Sequence, residues 1–358
     1  MRKRRSLPII LIVALIAAAV ALVVTLRKHA PPEPARLLPS ADAFVYVNLQ
    51  WMRRADVAGH LPAVPHDPDY ERFIQATGFQ FERDLDQAAF AVHYPGAAPG
   101  KQPELNQSRF SEVFVGKMQG ERLSAYLKSL SKTVDSYRSV DIYNIPLEGR
   151  TLRAAILGVD MVAASNQDDP TVIRGIIDRS RKLASPFGGP ALLRKYYKEV
   201  PFTSLAWGIF NVQNSGQAVP AEALGLPLLF SKPAVIVSSV SYLGSVRFKA
   251  EAFTGTDDDA KLLSEQMGSF LDIFHSAETS VQQPASDPDL KEFLDSLKVE
   301  QHKSRAVLTA VVPTALLEKM VAESPAELSP APPPAPAPAA PAPAKKSGAK
   351  RRLPKSSQ

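Results

Sequence analysis

Ser108–Leu130 reads SRFSEVFVGKMQGERLSAYLKSL, and Ser245–Leu271 reads SVRFKAEAFTGTDDDAKLLSEQMGSFL. Each opens with a short alternating run, passes a glycine turn and continues with apolar residues at helical spacing. In the first, Leu123, Tyr126, Leu127 and Leu130 recur at intervals that give a helix one apolar face. In the second, the stripe is Leu262, Leu263, Met267, Phe270, Leu271 and Phe274, behind a start capped by Thr256 or Asp257. Strand, turn and helix, written twice, predict two related α+β halves.

The flanking segments extend this pattern. FVYVNLQWM (Phe44–Met52) and TSLAWGIFNVQ (Thr203–Gln213) are strand-like, as is Ala88–Tyr94. Val140–Asn166 reads as three strands, and Lys298–Val312 as a strand pair. Another strand pair turns at Leu243-Gly244. Asp67, Pro68 and Gly78 bracket a short helix. Asp168 or Asp169 caps a second, opened by Pro170, with Val172, Ile173, Ile176 and Ile177 as its stripe. The short links favour antiparallel pairing, because parallel strands need long crossovers. Trp51 and Trp207, in or beside the first strand of each half, are expected to pack in the core.

The two ends differ from the body. From Leu7 to Leu26 the chain carries no charge, and twenty helical residues span about 30 Å. The run exceeds an ordinary signal-peptide core, so it reads as a retained transmembrane helix. Arg2, Lys3, Arg4 and Arg5 precede it, which places that end in the cytoplasm and the rest outside. His29–Ala43 is proline-rich and reads as a spacer. Beyond Met320 the chain turns to proline and alanine, and it ends on a basic tag with Lys345, Lys346, Lys350, Arg351, Arg352 and Lys355.

The expected fold class is therefore α+β. An N-terminal transmembrane helix precedes two halves, each a mostly antiparallel sheet covered by amphipathic helices, and a disordered Pro/Ala-rich tail follows. The divisions are a basic end at 1–6, the span at 7–26, a spacer at 27–36, halves at 37–185 and 186–321, and the tail at 322–358.

ARLLPSADAFVYVNLQWMRRA (Ala35–Ala55) resembles the opening of uncharacterised bacterial membrane-anchored exported families, in which an anchor precedes L-L-P-x-x-A and an apolar strand. The resemblance implies a location at the cell envelope. It implies no catalytic residue.

Composition narrows the chemistry. The chain has no cysteine, which excludes disulfides and thiolate sites. The net charge of +6 arises at the ends. Twelve of the 42 basic residues lie there, and those that remain are fewer than the 36 acidic ones. The basicity is thus not a nucleic-acid-binding face of the fold. None of the six histidines pairs at metal-ligand spacing, and no phosphate-loop, dinucleotide or G-x-S-x-G motif occurs. Asp257, Asp258 and Asp259 are contiguous at a helix start, where carboxylates favour the helix dipole; calcium loops interleave their oxygens instead.

One catalytic pattern is present: Ser129-Leu130-Ser131-Lys132, the S-x-x-K of penicillin-binding enzymes. It lies at a helix C-terminal end, and K-T-G and S-D-N are absent. The expectation is non-catalytic binding or scaffolding at the envelope, with no cofactor and no metal. The lipid bilayer is the partner of residues 7–26, and anionic headgroups or wall polymers are partners of the tail. Two alternatives stand beside it. One is an envelope serine hydrolase using Ser129 and Lys132. The other is a nucleic-acid-associated protein, which requires a cytosolic tail, and the tail has no aromatic residue to stack on bases.

Overall fold

Alternation in the quoted stretches becomes strand structure with two different faces. The structure is a computed structural model and describes residues 30–54, 66–94, 108–147, 149–181, 188–212, 232–280, 288–316 and 319. In the first half, strands β1 (Ala43–Asn48), β2 (Leu85–His93) and β3 (Arg109–Gly116) form a meander. A helix, Gly120–Leu130, leaves β3. Strands β4 (Thr133–Tyr137), β5 (Val140–Leu147), β6 (Arg150–Ile156) and β7 (Met161–Ser165) then return, and β7 pairs with β3. The second half repeats the plan with β8 (Ser204–Val212), β9 (Ala234–Tyr242) and β10 (Val246–Phe253). Helices Asp257–Ser280 and Pro288–Ser296 follow. Strands β11 (Lys298–His302) and β12 (Arg305–Val312) return, and β12 pairs with β10.

The halves do not have separate sheets. Twelve strands form one antiparallel sheet in the order β11-β12-β10-β9-β8-β1-β2-β3-β7-β6-β5-β4. The join is β1 on β8, with Phe44 opposite Ile209 and Tyr46 opposite Trp207. Two separate sheets would each expose a row of unpaired backbone groups along their first strand; pairing β1 with β8 removes both edges. The Tyr46 and Trp207 rings stack at 5.4 Å across this seam.

Residues opposite each other in the ladder share a face. One face gathers Phe44, Tyr46, Ala89, Val113, Ala163, Trp207, Ile209 and Val237. It is covered by helices Glu33–Leu37, Thr171–Arg181 and Ala191–Tyr196. Ile173, Ile176 and Ile177 of the second helix are fully buried, as its stripe predicts. Each contributes about 1.5–3 kcal/mol of burial. The other face is covered in patches. Leu263 and Met267 of Asp257–Ser280 pack on Val212, Ala234, Ala252 and Ala306. Phe73 of Pro68–Thr77 packs near Leu85 and Phe114, and Leu127 of Gly120–Leu130 packs on Tyr143 and Ala164.

Helix starts resolve as local chemistry requires. Asp67 Oδ1 accepts from the N–H groups of Asp69 and Tyr70, and Gly78 ends that helix at φ 71°. Asp169, not Asp168, caps Thr171–Arg181, accepting from the Thr171 N–H at 2.8 Å. Thr256 caps Asp257–Ser280, its Oγ1 accepting from the Asp259 N–H at 3.1 Å.

Four expectations are corrected. The transmembrane helix is removed from the fold class: no helix among the described residues is long and apolar enough to cross a membrane. The longest, Asp257–Ser280, carries charges from Asp257 to Asp272, and Leu7–Leu26 lies outside the described residues. The two sheets are one. The spacer does not extend to residue 36, because Pro34, Ala35, Leu37 and Leu38 are buried and the Leu37 carbonyl accepts from Arg179 Nε at 2.6 Å. The strand read through Met52 stops at Asn48, whose Oδ1 accepts from the Trp51 N–H and starts the helix Leu49–Arg54.

Candidate functional site

Four large apolar side chains are far more exposed than the fold requires: Val159 at 88%, Phe202 at 77%, Leu243 at 59% and Trp51 at 56%. The strand registers place all four at one end of the sheet. Trp51 follows the end of β1, where Val47 lies opposite Ala206 near the start of β8. Phe202 precedes that start, and Ser204 lies opposite Ser241 at the end of β9, just before Leu243. Val159 precedes β7, whose Met161 lies opposite Val115 at the end of β3. Single exposed apolar residues are ordinary on a soluble surface; four on separate connections at one end are not.

Three of the tips sit on turns and Trp51 on the short helix Leu49–Arg54, each with its own bracing. Gly244, at φ 81°, supplies the left-handed backbone beneath Leu243. The Pro201 carbonyl accepts from the Ser204 N–H and hydroxyl beside Phe202. The Leu157 N–H bonds the Met161 carbonyl at 2.9 Å around Val159. Under Trp51, Arg53 donates to the Leu85 carbonyl at 2.6 Å and pairs with Asp86. At about 4.8 Å per strand, the strands that carry Leu243, Phe202 and Trp51 lie within about 10 Å across the sheet, and the strand that follows Val159 is about 14 Å beyond β1.

The charges at this end are mixed. Arg54, Lys117 and Arg247 stand among the tips with no ion-pair partner among the described residues, against Asp160 and Glu121. Beside Val159 a shallow groove of roughly 600 Å³ is lined by Gly78, Arg83, Asp84, Lys117 and Asp160. The hydrogen bond from Arg83 holds the Asp84 carboxyl below the usual carboxylate range, against its partial burial. Among the described residues at this end, no hydrogen bond joins a nucleophile to a base. This end presents apolar side chains beside mixed charges.

The residues expected from sequence are scattered. Ser129 Oγ donates back to the Tyr126 carbonyl at 2.7 Å on an exposed helix end, and no hydrogen bond joins it to Lys132. Lys132 instead lines a groove at the opposite end of the sheet. Burial lowers the His93 pKa and raises that of Asp42, whose carboxylate accepts from the Tyr94 N–H; no described serine bonds His93. No cluster of three or more metal-ligating side chains occurs among the described residues. Leu7, Leu26, Lys345, Lys346, Lys350, Arg351, Arg352 and Lys355 lie outside them. Trp207 packs in the core as expected, but Trp51 does not. The available signal for Trp51 was the Met52-Arg53-Arg54 sequence after it, which suits a surface helix better than a buried strand.

No family model matches the chain, and no curated protein matches it. Similar solved structures include TP0453 in crystal form III, with 11% identity and a TM-score of 0.42 over 81% of this chain and 98% of that one. Crystal form I of TP0453 gives 10% identity and a TM-score of 0.41 over 82% of this chain and 97% of that one. A likeness of this size carries no argument about fold or function.

Proposed function

We propose that the protein is a non-catalytic binding domain that meets a lipid surface of the cell envelope with the apolar end of its sheet. The observation that carries this reading is the grouping of Trp51, Phe202 and Leu243 on separate, individually braced segments at one end of the sheet. Exposed apolar tips on separate segments suit a deformable surface better than a shaped protein partner, and tryptophan is enriched at membrane interfaces. The basic start and uncharged run at the N-terminus are a sequence-level reason for delivery to a membrane. The basic tail supplies a further contact with anionic headgroups or wall polymers, worth up to about 1 kcal/mol per charge.

The chain carries only two tryptophans, which makes the test direct. With Trp207→Phe, Trp51 is the sole indole reporter. The full-length protein is reconstituted into phosphatidylcholine–phosphatidylglycerol vesicles containing brominated lipid. Trp51 emission should shift to the blue and be quenched by bromine. Phe202→Glu with Leu243→Glu should restore a water-like emission. A Trp51 that stays open to aqueous acrylamide and is untouched by bromine would sink the proposal.

A further inference from the structure

At the end of the sheet opposite the apolar tips, three cations from three elements converge on one groove. Thr133, Asn144 and Arg153 form a single rank across β4, β5 and β6. Lys132 precedes β4, and Arg174 projects from the first turn of Thr171–Arg181. These residues, with Asp135 and Pro170, bound a space of roughly 340 Å³. We propose that this groove binds a small oxyanion of the phosphate or sulfate class through Lys132, Arg153 and Arg174.

The local bonding leaves the cations available. Arg153 Nη1 donates to the Gln167 carbonyl at 2.6 Å, which fixes the guanidinium and leaves its other donors free for a ligand. Arg174 lies over the Tyr137 ring at 5.4 Å. None of the three cations forms an ion pair among the described residues. Two carboxylates stand nearby, Asp135 and Asp169, and Asp169 feels the charges of Arg153 and Arg174. Asp135 accepts from Asn144 Nδ2 at 2.9 Å, and Asp169 accepts from the Thr171 N–H and hydroxyl. The helix start is therefore capped by its own residue, and the charge for an anion comes from the side chains. The three cations outnumber Asp135 and Asp169 by one charge, and an oxyanion answers that excess while matching the planar donor fork of arginine.

The same chemistry is offered by a lipid headgroup and by a free anion. The groove faces away from the apolar tips, so the free anion is the source assigned here. This assignment of source rests on the lipid-facing reading; the groove itself does not.

Inorganic phosphate is titrated into the full-length protein in non-ionic detergent and followed by phosphorus NMR line width, with chloride at matched ionic strength as the reference. Saturable broadening is expected. Arg153→Gln and Arg174→Gln should each weaken binding about tenfold, as loss of a charge-assisted hydrogen bond implies. Lys132→Glu should abolish it; Lys132 is exposed, so this variant keeps its fold. Lys128→Gln, on the neighbouring helix, should change nothing. The basic tail is present in every variant, so its contribution cancels. Non-saturable broadening, or broadening unchanged in Lys132→Glu, would refute the site. Capture on phosphatidylglycerol vesicles that Lys132→Glu abolishes would refute the free-anion source while leaving the groove.

Discussion

The third strand of each half, β3 and β10, brings one glutamate into the sheet, and the two halves handle it differently. Glu251 of β10 is buried opposite Val237 and Val307. It is met by Lys249 Nζ at 2.6 Å and Arg305 Nη1 at 3.8 Å. Glu112 of β3 lies opposite Phe90 and Ala164 and has no hydrogen bond or ion pair among the described residues. Burial alone pushes its carboxyl up to about 7. The two glutamates stand on opposite faces of the sheet, Glu251 in line with Val237, Ile209 and Phe44 and Glu112 in line with Phe90 and Val45, and one is a paired charge while the other is an acid whose burial goes unanswered. The plan specifies where a strand goes; its neighbours decide what a polar side chain on it becomes.

Removing the partners of Glu251 should have the largest effect. Lys249→Ala with Arg305→Ala leaves a buried carboxylate unpaired, which is expected to destabilise the fold by about 3 kcal/mol. Urea unfolding at pH 7 measures it. A loss under about 1 kcal/mol would mean that solvent, not the two cations, satisfies Glu251, and the contrast between the halves would disappear.

Glu112 is next, and its sign is opposite to that of an ion-paired acid. Its folded pKa lies above the unfolded value of about 4.5. Below that value both states are protonated. Between about 4.5 and about 7 the unfolded chain has lost a proton that the folded chain keeps, so stability falls as pH rises through this window and levels off above it. The full shift corresponds to about 3 kcal/mol, and screening at a half-buried side chain reduces it to about 2. Glu112→Gln should flatten the difference between urea midpoints at pH 5 and pH 8. An unchanged pH profile would place the titration elsewhere.

These two glutamates also show where sequence reading stops. Strands, the caps at Asp67 and Asp169 and the buried stripe Ile173, Ile176, Ile177 follow from local pattern, because spacing and capping are properties of neighbouring residues. The β1–β8 seam is not local: it joins Tyr46 to Trp207, and alternation in each strand says which residues share a face without saying which strand lies alongside. The apolar end escapes detection for the same reason, since Trp51, Phe202 and Leu243 meet only through that seam. Lys132 stands in a sequence pattern with Ser129, whereas its companions Arg153 and Arg174 come from a strand and a helix remote in sequence. The spacer differs for the same reason: Pro34 signals extension, while Ala35 and Leu37 beside it find a core assembled from both halves.

The smallest expected effect concerns the helices that leave the two third strands. Thr256 gives the second-half helix a side-chain cap. Gln119, at the equivalent start of Gly120–Leu130, has extended backbone angles but makes no side-chain cap bond, since its amide is too long to fold back onto the helix N–H groups. The difference is correctable in either direction. Thr256→Ala should lower stability by about 1 kcal/mol, and Gln119→Ser should raise it by about 0.5 kcal/mol, because a short hydroxyl at that backbone geometry reaches the free N–H groups. Thermal midpoints should move by about 2 °C down and about 1 °C up. If Gln119→Ser gives no gain while Thr256→Ala gives its full loss, the first turn of Gly120–Leu130 is already satisfied by its packing near Gly78 and Arg122, whose guanidinium donates to the Gln75 and Ala76 carbonyls. The two helix starts would then differ in how they are held and not in how well.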